Sequence, residues 1–445
     1  MQRYPESLTN SLRSVWITTG IYAVLVISLL SFKPLWLDEM LTLVEVRLPT
    51  AMEMIHELPA VPGSSPLTFL EQRYVFDVIG FSKAKARLPA ALFGIASIFA
   101  AGLLARRLGM QRPWIAAALL AIFPLTLRYS VESRPYSQGL FLSLAATLAF
   151  LDLKDRPTLG RAAIYALVLS LAAYSQAFAA SVLGAHIVWA VWQKQWRAAV
   201  YAASAAAIAI ASFLPWVIWS KAAWASGIAR EQSHFVLTPK LALVVSRELI
   251  GGGHVATILV LLLAGLCLAQ RRLEKKYAAL LVLLVAVTFV GGLATDAAFS
   301  YFFAIRQFLW ILPALAILAA AEIARGGKIA WALTPVLIFF CVRSSVLFFH
   351  DRRENWESAA HAIAAEVTDG TCLVTPPDGT VRLYRFFEPT LPRESQNCTR
   401  ILAATSTYTL ESDRQALFAR LEAQGFLKGG SQEAGGTSIV VLTKK

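Results

Sequence analysis

The stretch Leu35-Trp36-Leu37-Asp38-Glu39-Met40 stands just past an apolar run from Val15 to Phe32. The run is close to the roughly 20 residues that cross a bilayer. Two adjacent carboxylates therefore emerge where a membrane helix ends, with an indole and aliphatic side chains beside them. An acidic pair at a membrane boundary is ordinarily a solvated helix end. This one is embedded in apolar residues instead of a polar loop. A carboxylate at an apolar boundary carries a desolvation cost, so it calls for a partner or a task. A partly desolvated carboxylate also suits the work of a general base that deprotonates an alcohol.

Working outward, apolar blocks fill most of the 445 residues. The chain is 57% hydrophobic and 16% charged, where a soluble domain carries about a quarter charged residues. Eleven runs read as spans: 15–32, 88–105, 113–128, 137–152, 162–179, 180–193, 198–219, 253–270, 277–294, 307–324 and 329–349. Only Tyr174-Ser175-Gln176 separates the fifth from the sixth. The expected fold class is a polytopic α-helical membrane protein of about eleven transmembrane helices. Arg3 and Arg13 precede the first run as in a secretory signal, but Ser31-Phe32-Lys33-Pro34 offers no small-residue cleavage site. The first run is therefore expected to stay as a helix.

Net charge is +13, from 41 basic and 28 acidic residues. The cations cluster in short loops between apolar runs, such as Arg106-Arg107 to Arg112 and Arg271-Arg272 to Lys276. Lipid headgroups and membrane orientation account for that pattern, and no basic stripe with interleaved aromatics points to nucleic acid. The positive-inside rule places these loops and the N-terminus in the cytoplasm and Asp38 on the outer side. A module over residues 1–350 is then expected, with a long first outer loop from about 33 to 87. Two stretches of that loop, Met52 to Leu58 and Leu67 to Ile79, read as helices along the membrane surface.

Residues 351–445 follow as a small extracytoplasmic α/β domain. Glu354 to Val367 carries Trp356, Ala359, Ala360 and Ile363 on one helical face. Thr371 to Thr375 and Ser438 to Thr443 read as strands, and Val381 to Phe387 as a short helix. Asp413 to Gln424 reads as a helix capped by Ser412 and stopped by Gly425. Of four cysteines, Cys267 and Cys341 fall in apolar runs, and Cys372 and Cys398 in the tail. If the tail is outside the cytoplasm, a Cys372–Cys398 disulfide is expected.

Further polar groups fall on the outer side. Arg128-Tyr129-Ser130-Val131-Glu132-Ser133-Arg134-Pro135-Tyr136 lies between the third and fourth runs. Its bland reading is an interfacial aromatic and basic girdle. Its functional reading is a site for an anion such as phosphate, which Arg recognises with a planar, bidentate fork. Arg87 and Arg306 stand at the outer mouths of the second and tenth runs, where snorkelling to headgroups is the simpler alternative. Asp38, Glu39, Arg87, Glu132, Arg134 and Arg306 thus share one face. A transporter would more often place charge at the midplane. No phosphate-binding loop, GxSxG or HExxH occurs, and scattered histidines such as His56, His254 and His361 indicate no metal cluster.

These pieces resemble the bacterial GT-C glycosyltransferases of family 39, which include protein O-mannosyltransferases and the aminoarabinose transferases of lipid A. The matching residues are Trp36-Leu-Asp38-Glu39, Ala86-Arg87-Leu-Pro89 through Gly94, Arg106-Arg107-Leu-Gly109, Phe123-Pro124 through Tyr136, and Phe303-Ala-Ile-Arg306-Gln with Pro313. The order spans roughly residues 15–350. Two segments depart from the family pattern: Ser64-Ser65-Pro66-Leu67, where members often carry His-Pro-Pro, and Tyr174-Ser175-Gln176, where they often carry Tyr-Thr-His.

The resemblance implies a multi-pass bacterial inner-membrane enzyme. Its donor would be a polyprenyl-phosphate sugar. Its acceptor would be a hydroxyl on an envelope glycan, lipid or protein. Asp38, with Glu39 beside it, would be the base of an inverting transfer. Arg87, Glu132, Arg134, Tyr136 and Arg306 would bind substrate, with Arg134 and Arg306 on the phosphate. No cofactor is firmly implied, and a divalent metal on the carboxylate pair stays open. Rival readings are an O-antigen polymerase or ligase, and a flippase for lipid-linked sugars.

Overall fold

The computed structural model describes residues 6–60, 65–224, 239–299, 305–376, 378–393 and 398–444. It divides into two units, Met1–Leu30 with Pro49–Phe349, and Ser31–Leu48 with His350–Lys445. The helices, in chain order, begin with α1 (Glu6–Leu29), α2 (Leu37–Val46), α3 (Ala51–Glu57), α4 (Pro66–Ile79), α5 (Lys83–Arg107) and α6 (Pro113–Ile122). There follow α7 (Pro124–Ser130), α8 (Tyr136–Asp155), α9 (Leu159–Ser175), α10 (Val182–Trp192) and α11 (Trp196–Trp224). Helices Pro239–Glu248, Gly253–Ala269, Lys275–Phe299, Leu312–Ala324 and Lys328–His350 complete the first unit.

Helices occupy most of each of the eleven apolar runs, but run 15–32 ends in a turn after Leu29, and runs 113–128 and 162–179 are broken at Phe123 and Gln176. Among the described residues, seven helices are long and apolar enough to cross a bilayer, or nine if each of two bent pairs is one span. The helices from Leu159 to Ser175 and from Ala177 to Trp192 are apolar but shorter. The helix Leu312–Ala324 is apolar all round and buried from Leu312 to Glu322, packed between α6 and Gly253–Ala269. Lys328–His350 is equally apolar yet exposed, with Trp331 73% and Phe339 61% accessible. A helix hydrophobic on every face needs either protein or lipid around it. The first helix has the protein, and the second presents the lipid-facing surface of a membrane protein.

The two bends hold α7 in place. Pro124 opens α7 and has no N–H to continue α6, so the chain turns by 72° at Phe123. The second bend, of 84°, separates Pro239–Glu248 from Gly253–Ala269. Gly251 sits there at φ +77°, and a side chain on it would press on the Leu125 backbone nitrogen. The Leu125 amide donates to the Ile250 carbonyl at 3.1 Å, so one bend is tied to the other. On its other side α7 meets α5 at Gly94. A Cβ on Gly94 would overlap Ser130, whose hydroxyl donates to the Thr126 carbonyl (2.8 Å) and lies 2.7 Å from the Tyr22 hydroxyl.

The second unit is α/β. Its sheet has the order β1 (Thr371–Val374), β2 (Arg400–Ser406), β4 (Thr437–Lys444), β3 (Phe426–Ala434). β1 and β2 are parallel, and the remaining pairs are antiparallel. Helix Trp356–Ala365 buries Trp356, Ala359, Ala360 and Ile363, the face that its periodicity marks. Cys372 and Cys398 form a disulfide, with Cα atoms 5.7 Å apart.

Three details differ from the sequence reading. Helix Glu411–Ala423 starts directly after Leu410, so Ser412 lies inside its first turn and is not the cap. Strands β2 and β3 were not expected. Residues 31–48, read as part of the first outer loop, pack with the tail. Lys33 donates to the Asp351 carbonyl (2.9 Å), Arg47 to the Phe386 carbonyl (2.7 Å), and Arg382 pairs with Glu45 at 3.0 Å.

Candidate active site

The polar cluster of the first unit is built where α7 ends and α8 begins. Five residues, Val131 to Pro135, reverse the chain between them. The turn is held by the Val131 amide on the Arg128 carbonyl (3.1 Å), the Arg134 amide on the Glu132 carbonyl (2.7 Å), and Ser137 Oγ on the Tyr129 carbonyl (2.5 Å). It packs Tyr129 against Tyr136 with ring centroids 4.5 Å apart and planes inclined by 52°. Arg134 and Arg306 both reach the Tyr136 ring, at 5.9 and 5.7 Å from its centroid, and Arg128 lies 5.4 Å from Tyr129. Glu132 is buried and accepts from Arg128 Nε at 3.1 Å. Three guanidinium groups therefore surround two phenol rings and one carboxylate. Aromatic faces hold guanidinium planes in place, and a guanidinium is the side chain suited to planar recognition of a phosphate.

A second polar group lies between α4 and the α8–α9 pair. Gln138, half a turn along α8 from Tyr136, donates from Nε2 to Glu71 Oε1 at 2.5 Å. Its carbonyl accepts from Thr68 Oγ1 (3.0 Å) and Ser175 Oγ (2.9 Å). The other oxygen, Glu71 Oε2, is buried and has no hydrogen-bond partner among the described residues. Burial pushes the Glu71 carboxyl up to about 7, only partly opposed by the Gln138 bond. Arg87 is elsewhere. It is fully buried at the start of α5, and its Nη1 donates to the Leu30 carbonyl at 2.8 Å, which fixes α5 to the end of α1.

In the second unit, Asp38 and Glu39 occupy the first turn of α2. They divide the work. Glu39 is fully buried and accepts from the Trp36 amide at 3.3 Å, capping the helix from its third position. Asp38 is half-buried, and its carbonyl accepts from Thr42 Oγ1 at 3.1 Å. The tail contributes neighbours. Arg353 lies 5.1 Å from the centroid of the Trp36 ring. Burial, together with the Glu354 carboxylate, pushes the Tyr408 phenol up to about 12; the Asp38 charge acts the same way, and Arg353 opposes it. Asp38, Arg353, Glu354 and Tyr408 thus form one electrostatic cluster.

Residues 62–219 match the family model of the dolichyl-phosphate-mannose-protein mannosyltransferases. The fold is similar to that of ArnT from Cupriavidus metallidurans in its apo state, with a TM-score of 0.64 at 12% identity, covering 96% of this chain and 97% of that one. ArnT bound to undecaprenyl phosphate gives 0.63 at the same identity and coverage. The fold is that of the GT-C glycosyltransferases. The archaeal oligosaccharyltransferase AglB from Archaeoglobus fulgidus, solved with an inhibitory peptide and a dolichol-phosphate, gives 0.52 at 12% identity over 86% of this chain and 65% of that one. No curated protein matches.

Set on the GT-C fold, the residues marked by sequence fall into three places. Arg134, Tyr136, Arg306 and Glu132 come together around the α7–α8 turn. Arg87 stands apart at the α1–α5 junction. Asp38 and Glu39 belong to the second unit. Phe303, Ala304 and Ser64 of the sequence motifs lie outside the described residues. Glu71, Gln138, Arg353 and Tyr408 were missed by sequence reasoning. Ser175 carried a signal, since it sits in one of the two segments that depart from the family pattern. Among the described residues, no group of three His, Cys, Asp or Glu side chains is placed to hold a metal ion.

Proposed function

We propose that the chain transfers a sugar from a polyprenyl-phosphate donor to a hydroxyl acceptor of the cell envelope, at the outer face of the bacterial inner membrane. The observation that carries this reading is the set of Arg128, Arg134 and Arg306 around the Tyr129–Tyr136 pair in a GT-C fold. Undecaprenyl phosphate in ArnT and dolichol-phosphate in AglB are phosphates on long prenyl chains. Guanidinium groups beside lipid-facing helices suit the same ligand class. Arg134 and Arg306 would meet the phosphate as negative charge grows on its bridging oxygen.

Asp38 takes the acceptor proton. The freed oxygen attacks the anomeric carbon, and the bond from that carbon to the phosphate oxygen breaks. The electron pair leaves with polyprenyl phosphate, and configuration inverts. Glu39, committed to capping α2, is a positioning residue in this scheme, and Arg87 is a clamp between α1 and α5. Eleven membrane crossings with a cytoplasmic N-terminus put the tail outside, where its disulfide would persist. The buried acids Glu132 and Glu322 stand in the turn after α7 and in the last turn of Leu312–Ala324. That placement at helix ends favours chemistry over transport across the midplane.

The test is binding of undecaprenyl phosphate to the purified chain in detergent. The Arg134→Gln/Arg306→Gln pair should weaken it by at least about tenfold, since a bond to a charged group contributes roughly 1.5–3 kcal/mol. Unchanged affinity would remove both arginines from the phosphate site.

A further inference from the structure

A cavity of about 550 Å³ opens in the first unit between α10 and the helices Gly253–Ala269 and Lys275–Phe299. Its rim carries Arg271 and Lys275 with Trp192 beside them, and Cys267, Leu268 and Val282 give it apolar walls. No carboxylate lines it among the described residues. Helix α8 sets its level. That helix runs 20 residues from Tyr136, in the candidate active site, to Asp155, about 30 Å of rise. Near its far end Lys154 Nζ lies 5.8 Å from the centroid of the Trp189 ring, in the last turn of α10. It lies 5.9 Å from that of Tyr277, in the first turn of Lys275–Phe299. The cavity is therefore at the other end of the bundle from the Tyr129–Tyr136 pair, a hydrocarbon thickness away.

The cations of the loop before Lys275–Phe299 are not equivalent. Arg272 is held by Glu322 at 2.8 Å, and Lys276 by Glu274 at 2.7 Å. Arg271 and Lys275 make no ion pair or side-chain hydrogen bond among the described residues, and both are exposed. The backbone also singles out Arg271. The preceding helix closes with the Arg272 amide on the Cys267 carbonyl (3.0 Å) and the Arg271 amide on the Leu268 carbonyl (3.2 Å). That closure holds Arg271 at φ +52°, a left-handed position that glycine usually fills. On the facing wall Lys275, Ala278, Ala279 and Val282 recur at helical spacing and share one face. The two alanines leave room for a chain lying along the helix, and Leu268 and Val282 are exposed beside it. Charge at the rim, an indole at its side and an open apolar groove below match a lipid headgroup and its tail, and Trp favours headgroup level.

We propose that this cavity holds one anionic phospholipid, with its phosphate on Arg271 and Lys275 and an acyl chain along the apolar face. α10 packs on Lys275–Phe299, and Gly253–Ala269 packs on Leu312–Ala324. The lipid fills the seam between these two pairs and stabilises it by linkage. The strength of the site selects a phospholipid over a polyprenyl phosphate. Each cation near a membrane surface contributes about a fivefold preference for an anionic lipid. Two of them suffice to hold a lipid that is abundant in the membrane, and are too weak to collect a scarce one. The site is independent of the transferase reading, since it uses none of the arginines around Tyr136.

The experiment is native mass spectrometry of the purified full chain released from mixed phosphatidylglycerol and phosphatidylcholine nanodiscs. One phosphatidylglycerol per chain should persist, preferred at least about tenfold over phosphatidylcholine. Arg271→Gln/Lys275→Gln should abolish that preference, and Arg271→Lys/Lys275→Arg should keep most of it. Arg325→Gln/Lys328→Gln removes two exposed cations that do not line the cavity, and should leave the preference unchanged. No preference in wild type overturns the proposal, and so does an equal loss in both Gln pairs. If Arg271→Gln/Lys275→Gln does not fold, Arg271→Gly, which suits the left-handed backbone, must cut the preference by about fivefold; retention at the wild-type level overturns it. Millimolar inorganic phosphate and equimolar undecaprenyl phosphate should each leave the lipid in place. Displacement by the first assigns the cavity to a soluble anion, displacement by the second assigns it to the prenyl lipid, and either result overturns the proposal.

Discussion

Glu71→Gln should make the protein more stable at pH 8 and leave it nearly unchanged near pH 4.5. Burial lifts the Glu71 carboxyl from 4.5 to about 7. At full strength that rise corresponds to about 3 kcal/mol. The side chain is only partly buried, so solvent screening reduces it to roughly 1–2 kcal/mol. The sign follows from proton binding. The folded protein holds this proton more tightly than the unfolded chain, so the stabilisation is full below pH 4.5 and is lost as the pH climbs through 7. Above that pH the wild type carries a half-buried charge with one oxygen lacking a partner among the described residues. Glutamine keeps an oxygen for Gln138 Nε2 and has no charge to desolvate. The assay is thermal unfolding in detergent, read with a thiol-reactive dye that reports exposure of the buried Cys267 and Cys341. A gap between variant and wild type that does not change with pH would refute this reasoning, as would a Gln variant that is the less stable of the two at pH 8.

Two other perturbations test the packing around the proposed chemistry. Cys372→Ser/Cys398→Ser should destabilise the second unit by about 3.5 kcal/mol, the chain-entropy value for a loop closed across 26 positions; urea-dependent proteolysis of the tail in the full chain would read it, and an unshifted midpoint would contradict it. Gly94→Val should cost roughly 1–3 kcal/mol by overpacking against Ser130, and should weaken undecaprenyl phosphate binding because α7 carries Arg128. A variant with normal affinity would separate α7 from the donor site.

The helices were legible because lipid and core both demand apolar runs, and a run of that length leaves one backbone solution. The same signal could not tell Leu312–Ala324 from Lys328–His350, one buried in protein and the other exposed, since both are apolar all round. The short lengths of α9 and α10 hide behind continuous hydropathy across Tyr174-Ser175-Gln176. In the tail, β3 has an exposed run from Leu427 to Glu433, polar from Lys428 onward, with no alternation to read. β2 carries a readable apolar stretch, Ile401 to Ala404, that was overlooked. The Glu39 cap was visible as an acid three residues past Trp36, yet adjacency to Asp38 suggested shared chemistry instead. Arg47 gave no sign of its use, because its partner Phe386 lies 339 positions away. Glu71 was hidden for the same reason. On α4 it looks like a solvated helix face, and only Gln138, with Thr68 and Ser175 on its carbonyl, encloses it.

The central claim is that Asp38 removes the proton from an acceptor hydroxyl while a polyprenyl phosphate departs. The direct measurement is release of polyprenyl phosphate from a polyprenyl-phosphate sugar, with matched appearance of glycosylated envelope acceptor, by purified wild type and Asp38→Asn in the same membrane extract. Wild type should turn over with inversion at the anomeric carbon. Asp38→Asn should bind the donor normally and lose about 10²–10⁴-fold in rate, the usual contribution of a positioned base. Transfer by Asp38→Asn at the wild-type rate would contradict the claim.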